Sequence, residues 1–168
     1  MISPNMAEML NKHTNAELYS AYLYLSMSAY ASSKGWRGCS NWLYIQAQEE
    51  MIHVQKLYSY IDNQDTRIEL YEIAKPPVEF GSPLELFGGV LEHEQKVTGL
   101  VRDLMKAAAK EDDHATGTYL QWFATEQTEE EKSCREILGR LKLAGETSPG
   151  LFMIDNELGA RVLTPPTL

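Results

Sequence analysis

The chain has 168 residues, of which 43% are hydrophobic and 23% charged, and a formal net charge of -9 at pH 7. This size and composition predict one soluble domain, residues 1–168, with a substantial core. The negative charge argues against a nucleic-acid-binding protein, because phosphates require clustered Lys and Arg. No apolar run reaches the roughly 18 residues of a membrane span, and no secretory signal is visible, so we expect a cytoplasmic protein.

The first half of the chain has the apolar spacing of two long helices. One helix is predicted over residues 3–33, with Ser3 as its N-cap and a proline in the first helical position. It is expected to break before Gly35, and a second helix is predicted over about residues 38–63. The short break predicts that the two helices form an antiparallel hairpin.

A long connection, residues 64–82, follows the second helix. Unstructured connections of this length are uncommon inside compact domains unless they have a structural role, such as joining two distant ends of a bundle. We interpret this one as a crossover along a bundle, which makes the second and third helices parallel. Part of it, residues 68–71, has a pattern compatible with extended chain.

The second half predicts another hairpin and a short terminal helix. A capping box at residues 82–85 opens a third helix that continues to about Lys110. Asp112 and Asp113 suit the start of a fourth helix, which ends near Ala144 because Gly145 follows it.

Ser148 and Pro149 open the short C-terminal helix, predicted over about residues 149–160, and Pro165 and Pro166 stop it. The sequence therefore predicts an all-α fold. It consists of a four-helix bundle over residues 3–145, a long crossover between helices two and three, and a short fifth helix.

Six side chains form two sets with the same internal spacing. The first set is Glu17, Glu50 and His53, and the second is Glu94, Gln127 and Glu130. Residues at positions i and i+3 share one helix face, so the last two members of each set can point inward together. A glutamate on one helix and Glu-x-x-His on another is the arrangement of helical bundles that bind two metal ions.

The acids of these sets interrupt stripes that are otherwise apolar. A buried carboxylate is costly unless it is paired or bound to metal, and several at one height repel each other without a cation. Carboxylate and imidazole suit iron, whereas the isolated Cys39 and Cys134 predict buried free thiols rather than a zinc site. We therefore predict two iron ions, the first held by Glu17, Glu50 and His53. The second is held by Glu50 as a bridge, Glu94 and Glu130, with Gln127 as a neutral neighbour.

The two halves of this predicted centre are not equivalent. The second ion has oxygen ligands only, so it should be released more easily, and we infer that iron passes through the centre. Further acids, Glu49, Glu126 and Glu129, could form a third cation site with Glu130. The alternative interpretation of these acids is a solvated helix face.

Several other side chains have weaker indications of function. Tyr24 lies on the helix face of Glu17, where it could hydrogen-bond a ligand or donate an electron, and Trp122 is a candidate for the second role. Aromatic residues on such a stripe are more often part of the core. His13, His93 and His114 are predicted to be structural or exposed.

Segments along essentially the whole chain resemble the bacterial and archaeal non-haem ferritins. The segments are residues 15–20, 48–53, 120–123, 126–132 and 154–158. The resemblance implies a ferritin-like bundle, assembled as a hollow shell of two dozen subunits. It also implies a ferroxidase centre that oxidises Fe(II) with O2 or H2O2, and storage of Fe(III) as mineral. The family's centre falls on Glu17, Glu50, His53, Glu94, Gln127 and Glu130, and its third site on Glu49, Glu126, Glu129 and Glu130.

Three other interpretations stay open. A bacterioferritin-like, haem-containing iron store is the nearest one, because Met51 occupies the register of the haem ligand. Gln127 and Glu130 depart from the Glu-x-x-His pattern of that family, and haem is not expected. The others are a non-enzymatic helical bundle with solvated acids, and a di-iron oxygenase acting on an organic substrate.

Overall fold

The computed structural model describes residues 1–145 and 149–164 and contains five helices in that part of the chain. The helices are α1 Pro4–Ser33, α2 Arg37–Asn63, α3 Pro83–Lys110, α4 His114–Ala144 and α5 Pro149–Leu158. The predicted all-α fold and the order of its helices are confirmed. Residues 68–71 form no strand and belong to an irregular connection. The predicted roles of Ser148, Pro165 and Pro166 lie outside the described residues.

Helix starts follow the capping chemistry of the sequence. The Ser3 hydroxyl accepts a hydrogen bond from the Met6 amide, and Ser82 and Glu85 form the reciprocal capping box. At the α3–α4 turn, Asp113 caps α4, whereas Asp112 takes the left-handed conformation with φ of 54° and lies outside the helix. The fourth helix therefore begins at His114, two positions later than the first acid of that pair.

The direction of each helix follows from its contacts with α1. The Ser28 hydroxyl near the end of α1 donates to the Ser40 carbonyl near the start of α2, at 2.8 Å. The Tyr30 hydroxyl likewise donates to the Gly81 carbonyl just before α3, at 2.9 Å. Both α2 and α3 therefore run antiparallel to α1, so they are parallel to each other, and the predicted crossover is confirmed.

Side chains of α1 hold the crossover in place. The Asn11 side chain accepts a hydrogen bond from the Glu69 amide at 3.1 Å, and the Ser26 hydroxyl donates to the Pro77 carbonyl at 2.7 Å. These bonds satisfy polar backbone groups of the connection, which forms neither a helix nor a paired strand. The connection thereby runs alongside α1.

The core has an apolar cluster at each end of the bundle and a polar layer between them. One cluster is built around Leu43 and Phe87, and the other around Leu57 and Phe123. Side chains from all four long helices form the layer between the clusters. The polar layer consists of Glu17, Glu50, His53, Glu94, Gln127 and Glu130.

The short helix α5 packs across the start of α2. The Asp155 carboxylate accepts hydrogen bonds from the Gly38 and Cys39 amides at 3.0 and 2.8 Å. Cys39 and Cys134 are buried free thiols, as predicted. Among the described helices, none is long and apolar enough to cross a bilayer.

Candidate metal centre

The four long helices bring all six predicted ligands into the polar layer. None of these side chains is more than 9% exposed, and Glu17 is completely buried. Their burial argues against the interpretation in which the acids are solvated on a helix face. It also brings carboxylates together where water cannot screen their charges, which favours a cation among them.

The first group of potential ligands is Glu17, Glu50 and His53. One ligand atom from each lies within 4.8 Å of the others. The His53 Nδ1 atom is 3.2 Å from Glu50 Oε2 and 3.7 Å from Glu17 Oε2. One imidazole nitrogen and two carboxylates from two different helices can therefore reach a single ion.

The second group is Glu50, Glu94 and Glu130, again with ligand atoms within 4.8 Å of one another. Glu50 belongs to both groups, so its carboxylate can bridge two ions. Gln127 Nε2 donates to Glu94 Oε2 at 3.1 Å, and the Tyr24 hydroxyl donates to Glu94 Oε1. Gln127 and Tyr24 thus orient a carboxylate, and their roles beside a bound metal ion stay predictions.

Several atoms of this layer have no hydrogen-bond partner among the described residues. The atoms in the layer are the two carboxylate oxygens of Glu17, Glu130 Oε2 and His53 Nδ1, and the two ring nitrogens of His13 beside the layer are also without a partner. The ion-pair contacts of His53 are close but lack hydrogen-bond geometry. An unpaired buried polar atom costs about 1–3 kcal/mol, and such atoms are rare in native proteins. Their convergence at one height fits the donor set of a pair of cations.

The titration of the acids reflects their burial and their neighbours. Burial, reinforced by Glu94 and Glu50, raises the pKa of Glu130 well above its ordinary value. Burial also raises the pKa of Glu50 and of Glu94, although His53 and Tyr24 respectively oppose it. For Glu17, burial is outweighed by His13 and His53, so its pKa lies well below the ordinary value.

His53 responds to the same acids. Burial alone would lower its pKa, but the neighbouring Glu50 and Glu17 carboxylates raise that pKa well above the ordinary value. Without metal, the raised pKa values favour protons on Glu50, Glu94, Glu130 and His53, whereas Glu17 favours its charged form. A cation that binds there has to displace these protons.

The predicted third site is only partly brought together. Glu126 is half-buried and forms a ligand group with His53 and Glu130. The Glu49 carboxylate instead accepts a hydrogen bond from Arg161, and Glu129 is exposed and forms no such group with the described residues. The ligand role of all four acids stays a prediction.

Sequence reasoning missed two side chains that touch the layer. His13 is buried, with Nε2 3.0 Å from Glu17 Oε1, which fits the expected structural role but places it against a predicted ligand. Gln46 is buried and donates to Glu130 Oε1 at 2.9 Å and to Glu50 Oε1 at 3.3 Å. Each lies one helical turn before an acid of the layer, on the same face, which is the signal that could have found them.

The remaining candidates lie around the layer or on the surface. The Trp122 ring is edge-on to the His53 ring, with centroids 5.4 Å apart. His93 Nε2 lies 2.8 Å from the Ser20 hydroxyl, and His114 is exposed, as expected. Met51 is 40% exposed and lines an outer groove of about 480 Å³ with side chains of α1 and α2.

Comparison with known proteins agrees with this geometry. The model of the ferritin-like domain family matches residues 7–144. The chain is 40% identical to the "Bacterial non-heme ferritin" of Escherichia coli O157:H7 over 158 residues, covering 94% of this chain and 96% of that one. It is 37% identical to the protein of the same name from Staphylococcus aureus NCTC 8325 over 161 residues, covering 96% and 97%.

Solved structures of ferritins have the same fold. The open-pore ferritin of the hyperthermophilic archaeon Archaeoglobus fulgidus superimposes with a TM-score of 0.95 at 44% identity, covering 96% of this chain and 100% of that one. A closed form of that ferritin, engineered by site-directed mutagenesis, gives a TM-score of 0.96 at 44% identity, covering 98% and 100%. With a family match over most of its length and these relatives, the chain belongs to the ferritin-like domain family, among the bacterial and archaeal non-haem ferritins.

Proposed function

We propose that this protein stores iron by oxidising Fe(II) at the polar layer and depositing Fe(III) as mineral inside a hollow homo-oligomeric shell of 24 subunits. Iron storage is supported by the non-haem ferritin relatives. The single observation that carries the ferroxidase step is the pair of ligand groups that share Glu50 in the buried middle of the bundle. The oxidant is O2 or H2O2, and iron is the substrate.

The donor set accounts for the direction of the reaction. Carboxylates are hard ligands and favour the more highly charged Fe(III), so they lower the Fe(III)/Fe(II) potential. Two ions side by side give two electrons together, which reduce O2 with two protons to H2O2. Tyr24 and Gln127 hold the two Glu94 oxygens, and the hydroxyl of Tyr24 is also a candidate electron donor.

The asymmetry of the two groups accounts for release. The first group contains the His53 imidazole, whereas the group of Glu50, Glu94 and Glu130 offers only oxygen. We propose that the second ion is held less tightly and leaves first. Glu126 beside Glu130 supports a third site on the exit path, with Glu49 and Glu129 as further ligands after a rearrangement.

We propose that residues 1–168 form a single ferritin-like domain and that the protein works in the cytoplasm, where the free thiols Cys39 and Cys134 would stay reduced. We also propose that haem is not part of the store, because Gln127 and Glu130 depart from the Glu-x-x-His pattern of the haem-containing stores.

Replacing His53 or Glu130 by Ala tests the ferroxidase centre. Each change removes a side chain from one of the two ligand groups that share Glu50, so rapid Fe(II) oxidation, followed by stopped-flow absorbance, should slow by about tenfold or more. His114→Ala and Glu136→Ala are the controls, since both side chains are exposed. Parental rates in both His53→Ala and Glu130→Ala would show that the mapped centre is wrong.

A further inference from the structure

Arg161, in the segment that follows α5, reaches the side of the polar layer. Its guanidinium lies over the Trp42 ring, 4.2 Å from the ring centroid, and Nη1 donates to the Trp42 carbonyl at 3.1 Å. Nη2 donates to the Glu49 carboxylate. A planar guanidinium is suited to this combination of stacking and several directed hydrogen bonds.

The backbone that carries Arg161 is fixed to α2. The Asn41 side chain donates to the Arg161 carbonyl at 2.9 Å and to the Gly159 carbonyl at 3.3 Å. Six residues earlier, the Asp155 carboxylate accepts hydrogen bonds from the amides at the start of α2. Hydrogen bonds therefore hold both the backbone of Arg161 and its guanidinium group in place.

Gln46 connects this guanidinium to the acids. Its side-chain oxygen accepts a hydrogen bond from Arg161 Nη1 at 2.9 Å. Its amide nitrogen donates to Glu130 Oε1 at 2.9 Å and to Glu50 Oε1 at 3.3 Å. Arginine has donors but no acceptor, so the amide oxygen has to face Arg161 and the NH2 group has to face the two carboxylates.

The oriented Gln46 amide makes one oxygen of each of the two acids different from the other. It occupies Oε1 of Glu130 and Oε1 of Glu50, and Glu130 Oε2 is left buried without a hydrogen-bond partner. If the amide turned over, its NH2 group would face the Arg161 guanidinium, which has no acceptor. The orientation set by Arg161 therefore holds the two acids together and keeps an oxygen of Glu130 free for a cation.

We propose that Arg161 is a positioning residue for the second ion, acting through the Gln46 amide on Glu130 and Glu50. This inference rests on the proposed function, because it assumes that a second ion binds there. The first ion shares Glu50 with the second but also has Glu17 and His53, which neither Arg161 nor Gln46 contacts through a hydrogen bond. Loss of Arg161 should therefore weaken binding of the second ion much more than binding of the first ion.

Anaerobic titration with Co(II) alone separates the two steps, because its visible spectrum and calorimetric heat report each ion. The parent protein should bind two Co(II) per subunit at the polar layer. Arg161→Gln should weaken the second step by about tenfold or more and leave the first within about threefold. Arg161→Lys keeps the charge but not the forked donors, so it should give an intermediate loss.

A double-mutant cycle tests whether Arg161 acts through Gln46. Gln46→Met removes the amide with little change in volume, and it should weaken the second step by itself. In the Gln46→Met background, Arg161→Gln should have little further effect on that step. Independent effects that add would overturn the proposal, and so would an unchanged second step in Arg161→Gln.

Arg140→Gln is the matched control, because Arg140 pairs with Glu157 of α5 at an exposed site and does not contact Gln46. It should leave both binding steps unchanged, and equal weakening by Arg140→Gln would overturn a specific role for Arg161. If Arg161→Gln does not fold, Arg161→Lys in the same cycle replaces it. A parent protein that binds fewer than two Co(II) at this layer contradicts the proposed function itself, which is a different outcome from two ions bound with no role for Arg161.

Discussion

Individual acids of the polar layer differ in which protonation state the fold favours. Burial raises the pKa of Glu50, Glu94 and Glu130 above the ordinary value of 4.5. The pKa of His53 is raised as well, while that of Glu17 is lowered. Above the ordinary carboxyl pKa, the folded metal-free protein thus binds more protons than the unfolded chain.

This difference predicts the pH dependence of stability without metal. Groups with a raised pKa stabilise the fold at low pH, and that contribution is lost as pH rises through their folded values. Glu17 and His93 have the opposite sign. The contribution of Glu17 is lost only on acidification below about pH 5, and His93, whose pKa burial lowers to about 4, opposes the decline only below its ordinary pKa of 6.5. Between pH 5.5 and 8, the free energy of unfolding should therefore fall, by about 1.4 kcal/mol for each one-unit difference in pKa.

Guanidinium denaturation of the metal-free protein at the two pH values measures this effect. Saturating Co(II) should remove most of the decline, because a cation replaces the protons as the partner of the carboxylates. Glu50→Gln should also flatten the dependence, since it removes one of the titrating groups. Stability that is constant or rises with pH in the metal-free parent would contradict the assignment.

The sequence predicts the residues of the layer unequally well. Glu17, Glu50 and His53 can be found because acids and an imidazole at fixed helical spacing stand out among apolar residues. Gln46 has a neutral amide that looks like any polar helix residue. Its partner Arg161 lies 115 positions away in irregular chain, so no periodicity connects the two.

At the scale of secondary structure, local chemistry sets most helix ends. The Ser3 cap and the Ser82–Glu85 capping box are short-range motifs, and both are found as predicted. The course of the crossover and the docking of α5 depend on contacts between distant parts of the chain. Those contacts cannot be derived from spacing, and the close approach of Gly38 to α5 is the clearest example.

Replacing Gly38 by Ala should destabilise the protein, although alanine is usually more favourable in a helix than glycine. Alanine normally stabilises a helix interior relative to glycine by about 1 kcal/mol. Here, an added Cβ would lie 1.5 Å from the Asp155 carbonyl oxygen, so the backbones of α2 and α5 would have to separate. We expect a loss of about 1–3 kcal/mol, as for overpacked cores.

Hydrogen exchange and denaturation check this prediction together. Protection of residues 149–158 should fall in Gly38→Ala, while the middle of the bundle keeps its protection. Gly139→Ala is the control, because nothing lies within 4 Å of an added Cβ there. That variant should be as stable as the parent or more stable. Unchanged exchange of α5 in Gly38→Ala would show that this contact does not hold the helix.

At the scale of the whole molecule, one subunit leaves large apolar side chains exposed on the outer face of α1 and α2. Tyr22, Leu25 and Tyr44 are 49%, 43% and 50% exposed and lie beside the Met51 groove. Contiguous apolar surface of this kind usually marks a contact with another chain. The proposed shell gives it a partner, since ferritin relatives and structures support oligomeric assembly.

Assembly is therefore predicted to depend on this face. A shell of 24 chains of 19.0 kDa has a mass of about 456 kDa, which light scattering coupled to gel filtration can measure. Leu25→Arg places an unpaired charge in the contact, which is costly when buried. It should shift the protein to small species, while Leu25→Met should assemble as the parent does.

Because the two ligand groups lie within one bundle, the small species should still bind two Co(II) per subunit. Loss of metal binding together with assembly would instead mean that the centre needs a neighbouring subunit.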